Sequence, residues 1–207
     1  MLFTAMVKSD KAGKIGIFGG TFNPIHHGHL INIELLINQV NLDQVLFIPA
    51  KIPVHKILAD SVSSDDRLKM VELALAGSEK MLASGIEINR ETASYTITTL
   101  EELKNFYPED ELFLIIGSDS FNELDTWKEY KKILSGYPII VIQRPGDTEL
   151  RDDLLSLAVR VEQHMGSMIE ISSSMIRDRI KNDLPVKYLT TDNVIEFIRI
   201  KGLYKIG

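Results

Sequence analysis

The chain contains no cysteine, which excludes disulfides, thiolate metal sites and a cysteine nucleophile. It lacks any apolar run near the roughly 20 residues that a bilayer span requires. The first residues, MLFTAMVKSDKAG, carry neither a signal-peptide core nor a small-residue cleavage site, so a cytoplasmic location is expected. Positive charge is also short: 23 Lys and Arg face 29 Asp and Glu, a net charge of −6. No global field then attracts nucleic acid, and an anionic substrate must be held by a local cationic cluster or a metal ion. What is present is 44% hydrophobic residues over 207 positions, enough to bury a core and unlike a disordered chain. The expectation is a soluble globular protein: a loose N-terminal extension over 1–13, then a single domain over 14–207.

Short apolar runs at 15–18, 45–48, 86–88, 112–116, 139–142 and 168–171 read as strands buried on both faces. Helix-length segments lie between them. One covers 28–40, another 65–76 with Leu68, Val71 and Leu75 on one face. Ile97, Leu100 and Leu103 form a similar stripe, and a last helix near 193–201 groups Val194, Phe197 and Ile198. Such alternation predicts βαβ crossovers: an α/β, Rossmann-like, doubly wound and mostly parallel sheet with helices on both faces and a small C-terminal helical part. Ligands of such sheets sit at the carboxyl ends of the strands, so the first strand-to-helix junction is the place to look.

That junction, residues 19–30, reads GGTFNPIHHGHL. It is neither GxxxxGK[ST] nor GxGxxG, which removes a P-loop and weakens a nicotinamide dehydrogenase reading. Paired glycines still let the backbone approach a ligand and aim N–H groups at it. His26 and His29 share a face if the turn is helical, with His27 as an outward spacer. Imidazoles at a helix N-terminus oppose a macrodipole that prefers anions there. A solvated cluster and a metal site are the alternatives; the Gly-Gly turn and the lack of a nearby carboxylate favour phosphate. The last junction, ISSSMIR at 171–177, repeats the conflict. Its serines can act as plain caps, yet Arg177 stands in the first turn where a capping box wants Glu or Gln. Hydroxyls, N–H groups and a guanidinium suit a polyphosphate, and two such cradles suggest a nucleotide bridging them.

Together the two motifs resemble the HxGH nucleotidyltransferase superfamily, with its (G)GTFDPxHxGH and ISSTxIR patterns. The stretches IPAKIPVHK (48–56), SYTITTL (94–100), IIGSDSFNELDTW (115–127) and VIQRPG (141–146), with the ending YLTTDNVIEFIRIKGLY, are similar in order and spacing to the bacterial nicotinate-nucleotide adenylyltransferase family. The resemblance implies adenylyl transfer from ATP to nicotinate mononucleotide, with Mg²⁺, giving deamido-NAD and pyrophosphate. Chemistry of that kind rests on positioning and charge stabilisation rather than on a side-chain nucleophile. His26, His29 and Arg177 are implied as catalytic. Gly19, Gly20, Thr21 and Phe22, with Ser172, Ser173, Ser174 and Arg177, are implied to hold ATP. Lys56 is implied to meet the mononucleotide phosphate, Thr96 and Trp127 its pyridine ring, and Asp119 a ribose hydroxyl. No resident metal ligand is implied, and a homodimer is the expected assembly.

Each implied role has a plainer counterpart. The lone tryptophan could be core, Thr96 could simply start a helix, Lys56 could be a solvated charge and Asp119 could cap a helix. Asn23 stands where the pattern usually has Asp and is expected to have a structural turn role; Ser174 replaces Thr, and Thr191 a proline. Phosphopantetheine adenylyltransferase shares both cradles but has Thr at the position of His26 and lacks the SYT and Trp elements. A nucleotide-binding regulator without catalysis would not need His26, His29 and Arg177 together. No arginine is committed to an acid-over-amide choice, so backbone N–H groups and a helix end are expected to make it.

Overall fold

Strands covered on both faces need apolar side chains at odd and even positions alike, and the runs after Gly13 supply them. The computed structural model describes residues 12–51, 62–144 and 146–205. In chain order the elements are β1 (Lys14–Gly20), α1 (His27–Val40), β2 (Gln44–Pro49), α2 (Ser64–Ala74), β3 (Met81–Ala83), α3 (Thr96–Phe106) and β4 (Glu111–Gly117). Then follow α4 (Ser118–Asn122), a 3-10 turn (Leu124–Thr126), α5 (Tyr130–Gly136), β5 (Ile139–Gln143), α6 (Asp152–Leu155), β6 (Val161–Met165), α7 (Ser173–Lys181) and α8 (Asp192–Lys201). The six strands form one parallel sheet in the order β3-β2-β1-β4-β5-β6, the α/β doubly wound arrangement expected.

Alternate residues of each strand feed two cores. Ile15, Ile17, Leu112, Leu114, Ile139 and Val141 pack toward Leu100 and Leu103 of α3 and Ile133 and Leu134 of α5. Val45, Phe47, Phe113, Ile115 and Ile140 pack toward Ile33 and Ile37 of α1, Met70 and Val71 of α2, and Val194 and Ile198 of α8. Strand order reverses between β1 and β4, so a crevice opens where Gly19, Gly20 and Gly117 end those strands. Among the described residues no helix is long and apolar enough to cross a membrane.

Two strands differ from the sequence expectation. The third is Met81–Ala83 rather than 86–88, its register set by Val45 opposite Met81. Ile86 and Ile88 instead bury their side chains from a turn, closed by the Asn89 N–H to the Gly85 carbonyl at 3.0 Å. The sixth is Val161–Met165 rather than 168–171. It is an edge strand and need not be apolar, whereas Met168 is exposed, and Ile169 and Ile171 line a pocket. Residues 1–11 of the expected extension lie outside the described residues; Gly13 is already held, its N–H donating to Asp110 Oδ1 at 2.7 Å.

Candidate active site

The turn leaving β1 is built tightly around aromatic rings. Phe22 takes a left-handed conformation (φ 47°) while its ring is buried between Phe18 and Phe47, at centroid distances of 5.7 and 5.8 Å. A Cβ on Gly20 would lie 2.9 Å from that ring, so glycine is required there. The Asn23–Pro24 peptide is cis, and His26 follows as the N-cap of α1. His26 is 6% exposed, and its Nδ1 is buried without a hydrogen-bond partner among the described residues. A Cβ on Gly28 would come within 3.0 Å of that same Nδ1, which explains the glycine between the two histidines. The His29 ring stacks on His26 at 3.7 Å and 27°. Its Nδ1 accepts the His26 backbone N–H at 3.3 Å, so its hydrogen resides on Nε2, a donor for a ligand oxygen. No acidic residue occupies the first turn of α1, leaving the positive end of the helix uncompensated.

The second cradle folds directly onto the first. Ser172 is the N-cap of α7: its Oγ accepts the Met175 N–H at 3.1 Å and lies 3.0 Å from Ser174 Oγ. Ser173 Oγ donates to the Pro24 carbonyl at 2.8 Å, and Arg177 Nη1 to the Asn23 carbonyl at 2.9 Å. Thr21, Asn23, His26, Gly28, His29, Ser172, Ser173, Ser174 and Arg177 thus line one basin of about 560 Å³. Ser172 therefore caps its helix, and Ser173 and Arg177 brace the first turn. Asn23 is a turn residue: its Oδ1 accepts the buried Tyr204 hydroxyl at 2.7 Å.

A second basin, about 400 Å³, lies on the other side of β1 and collects Gly19, Gly20, Thr21, Thr96, Asp119 and Trp127. Phe18, Thr21, Gly117 and Arg144 line both basins, so the two meet above the switch point. Thr96 opens α3, whose N-cap Tyr95 makes no side-chain cap bond and whose first turn has no acidic residue. Trp127 packs half-buried against the α3 side of the core. Asp119 pairs with Arg144 at 3.2 Å on an exposed rim. Lys56 lies outside the described residues.

Sequence reasoning missed several groups around these basins. Arg67 of α2 is completely buried and donates to the carbonyls of Thr21 (2.7 Å), Ala50 (2.6 Å) and Lys51 (3.2 Å). Asn32, one turn beyond Gly28, donates to the Gly28 carbonyl and accepts the Ser167 N–H, both at 2.7 Å. Glu87 accepts the Thr99 hydroxyl at 2.7 Å in the second basin. Only Asn32 had a signal, its helical spacing from His29.

Burial, reinforced by the charge of His27, holds the His26 pKa down to about 4 from 6.5. The imidazole is neutral at pH 7 and serves as a polar group rather than a fixed cation. Between pH 6.5 and 4 the unfolded chain binds the extra proton and the folded one resists it, so stability falls as pH falls through that window. The expected loss from this residue is about 3 kcal/mol. Urea midpoints from pH 7 to 4 check it: His26→Asn should decline less steeply than the parent protein, and parallel curves would contradict the assignment.

Two unlike basins at the switch point of a parallel sheet, one rich in imidazole, hydroxyl and guanidinium donors, define a class of nucleotide-handling α/β proteins. The cytidylyltransferase-like family model matches residues 17–179. A "Probable nicotinate-nucleotide adenylyltransferase" of Geobacillus thermodenitrificans is 38% identical over 93% of this chain and 86% of its own length. Another, from Geobacter sp. strain M21, is 40% identical over 92% and 98%. The chain belongs to the cytidylyltransferase-like family and, within it, to the group of nicotinate-nucleotide adenylyltransferases. Its fold is shared with Plasmodium falciparum nicotinic acid mononucleotide adenylyltransferase complexed with NaAD, at a TM-score of 0.78 and 20% identity over 93% of this chain and 97% of that one.

Proposed function

We propose that this protein transfers the adenylyl group of ATP to nicotinate mononucleotide, forming nicotinate adenine dinucleotide and releasing pyrophosphate, a step of NAD biosynthesis. The observation that carries the proposal is the pair of basins meeting at Phe18, Thr21, Gly117 and Arg144, because two substrates held one in each would touch there. ATP takes the basin of His26, His29 and Arg177. The mononucleotide takes the basin of Trp127, where the indole can cover a pyridine ring and the uncapped N-terminus of α3 faces negative charge. Lys56 is assigned to the mononucleotide phosphate by family resemblance alone.

The mononucleotide phosphate oxygen attacks the α-phosphorus of ATP; one P–O bond forms as the bond to the pyrophosphate oxygen breaks. The chain's task is to align both partners and to stabilise charge on the leaving pyrophosphate. His26 and His29 offer donors near the reacting phosphorus, and Ser173, through its backbone N–H at the start of α7, and Arg177, through its guanidinium, offer a donor and a cation for the outer phosphates. Magnesium enters as the complexed form of ATP. Among the described residues the ATP-side lining contains hydroxyls, imidazoles and guanidinium but no carboxylate, so such an ion would be held by phosphate oxygens and water. The homodimer and the cytoplasmic setting belong to the same proposal.

Purified protein given MgATP and nicotinate mononucleotide should release pyrophosphate, and nicotinamide mononucleotide should be a much poorer acceptor. A pyrophosphatase-coupled phosphate assay reads both. Absence of turnover with either acceptor would defeat the proposal.

A further inference from the structure

The second basin contains a cation that the resemblance assigns to nothing. Lys128 follows Trp127 in the chain and lines the same cavity as Trp127, Tyr95 and Thr96. Its ammonium sits 4.4 Å from the centroid of the Tyr95 ring, an attraction that holds an exposed lysine against a ring lining that cavity. Tyr95 is itself the N-cap residue of α3. The ammonium and the first residue of α3, Thr96, thus line one cavity, where the positive end of the helix and a cation both favour an anion.

The charges around it leave this role open. Asp119 is taken by Arg144 at 3.2 Å. Glu87 accepts the Thr99 hydroxyl, which also receives Arg90 N–H groups at 3.2 and 3.3 Å, and Arg90 is paired with Glu102 at 2.6 Å. The neighbouring Glu129 is bonded to Lys132. Among the described residues Lys128 makes no ion pair, whereas Arg144, the other cation lining the basin, does.

We infer that Lys128 is a specificity-determining residue: its ammonium recognises the carboxylate of a pyridine-3-carboxylate ring stacked on Trp127 and so separates the acid from the amide. This rests on the proposed reaction. A neutral carboxamide at the same ring position gains little from an ammonium and places its own N–H donors against it. A carboxylate accepts from the ammonium and from the α3 N–H groups together. The choice is then electrostatic, and a lysine reads it without any change of cavity shape.

The test compares Lys128→Met and Lys128→Arg with the parent protein, using nicotinate and nicotinamide mononucleotides as acceptors. Lys128→Met should lower the acid-over-amide ratio of kcat/KM by about tenfold, whereas Lys128→Arg should keep the ratio within about threefold. The only tryptophan of the chain, placed in this basin, gives a second readout. Fluorescence titration with nicotinate mononucleotide should show Kd rising by about tenfold in the Met variant, and less steep salt dependence. A parent that prefers the acid and a Met variant with the same ratio, or with both acceptors weakened alike, would overturn the inference while leaving the reaction standing. A parent that uses neither acceptor would instead defeat the proposed reaction and this inference with it.

Discussion

Replacing His29 by alanine is expected to lower kcat for adenylyl transfer by about 10²-fold or more, the scale set by loss of one preorganised donor from a site where charge develops. The ring is unusually well placed for that role. Its Nδ1 is occupied by the His26 N–H, which leaves Nε2–H as the donor. Its plane is fixed by the His26 stack at 3.7 Å and by the Phe22 edge at 5.2 Å. Donors fixed before the substrate arrives need no reorganisation as charge builds on the phosphates. The cost should fall mainly on kcat, with KM for ATP changed much less, because Ser173, Arg177 and the turn backbone still hold the ground-state nucleotide. Single-turnover chemistry separates the two. A variant within threefold of the parent rate would remove His29 from the chemistry.

Much of this site was legible in the sequence, for a physical reason. His26, His29 and Arg177 stand at helix N-termini, where a cation or donor is locally unfavourable, and local conflicts of that kind mark places where a ligand completes the charge balance. The central strands were equally legible, since Phe47, Phe113 and Ile115 are buried on a sheet covered from both sides. The edge was not. Val161–Met165 carries Glu, Gln and His on an outer strand, so periodicity favoured the more apolar 168–171. Nor could spacing reveal that Ser173 and Arg177 would reach the Pro24 and Asn23 carbonyls, contacts that exist only once the helix after the edge strand β6 folds back onto the turn after the central strand β1. Lys128 reads as one more solvated charge until Tyr95, 33 positions earlier by number, is brought beneath it.

Arg67 is the extreme case of that blindness, and its removal should cause the largest loss of stability. In SSDDRLKM it looks like an ordinary cation near the start of an acidic helix, yet it is 0% exposed and spends its guanidinium on the carbonyls of Thr21, Ala50 and Lys51. Burial lowers its pKa from the ordinary value, with Tyr204 opposing. Two effects compete in Arg67→Met. Removing a desolvated charge returns part of its burial cost, while each partly buried carbonyl deprived of its donor costs about 1–3 kcal/mol at most. With three carbonyls against one cation the loss should win, by about 3 kcal/mol net. Arg67→Lys should recover only part of it, since one ammonium lacks the planar fork that spans three acceptors. Urea denaturation measures the difference. The effect reaches function as well, because Thr21 lines both basins and Ala50 follows β2 into the mononucleotide side. Loosening that junction should raise KM for both substrates, unlike His29→Ala. If Arg67→Met unfolds at the same urea concentration as the parent, the guanidinium is not what ties the first turn to the end of β2.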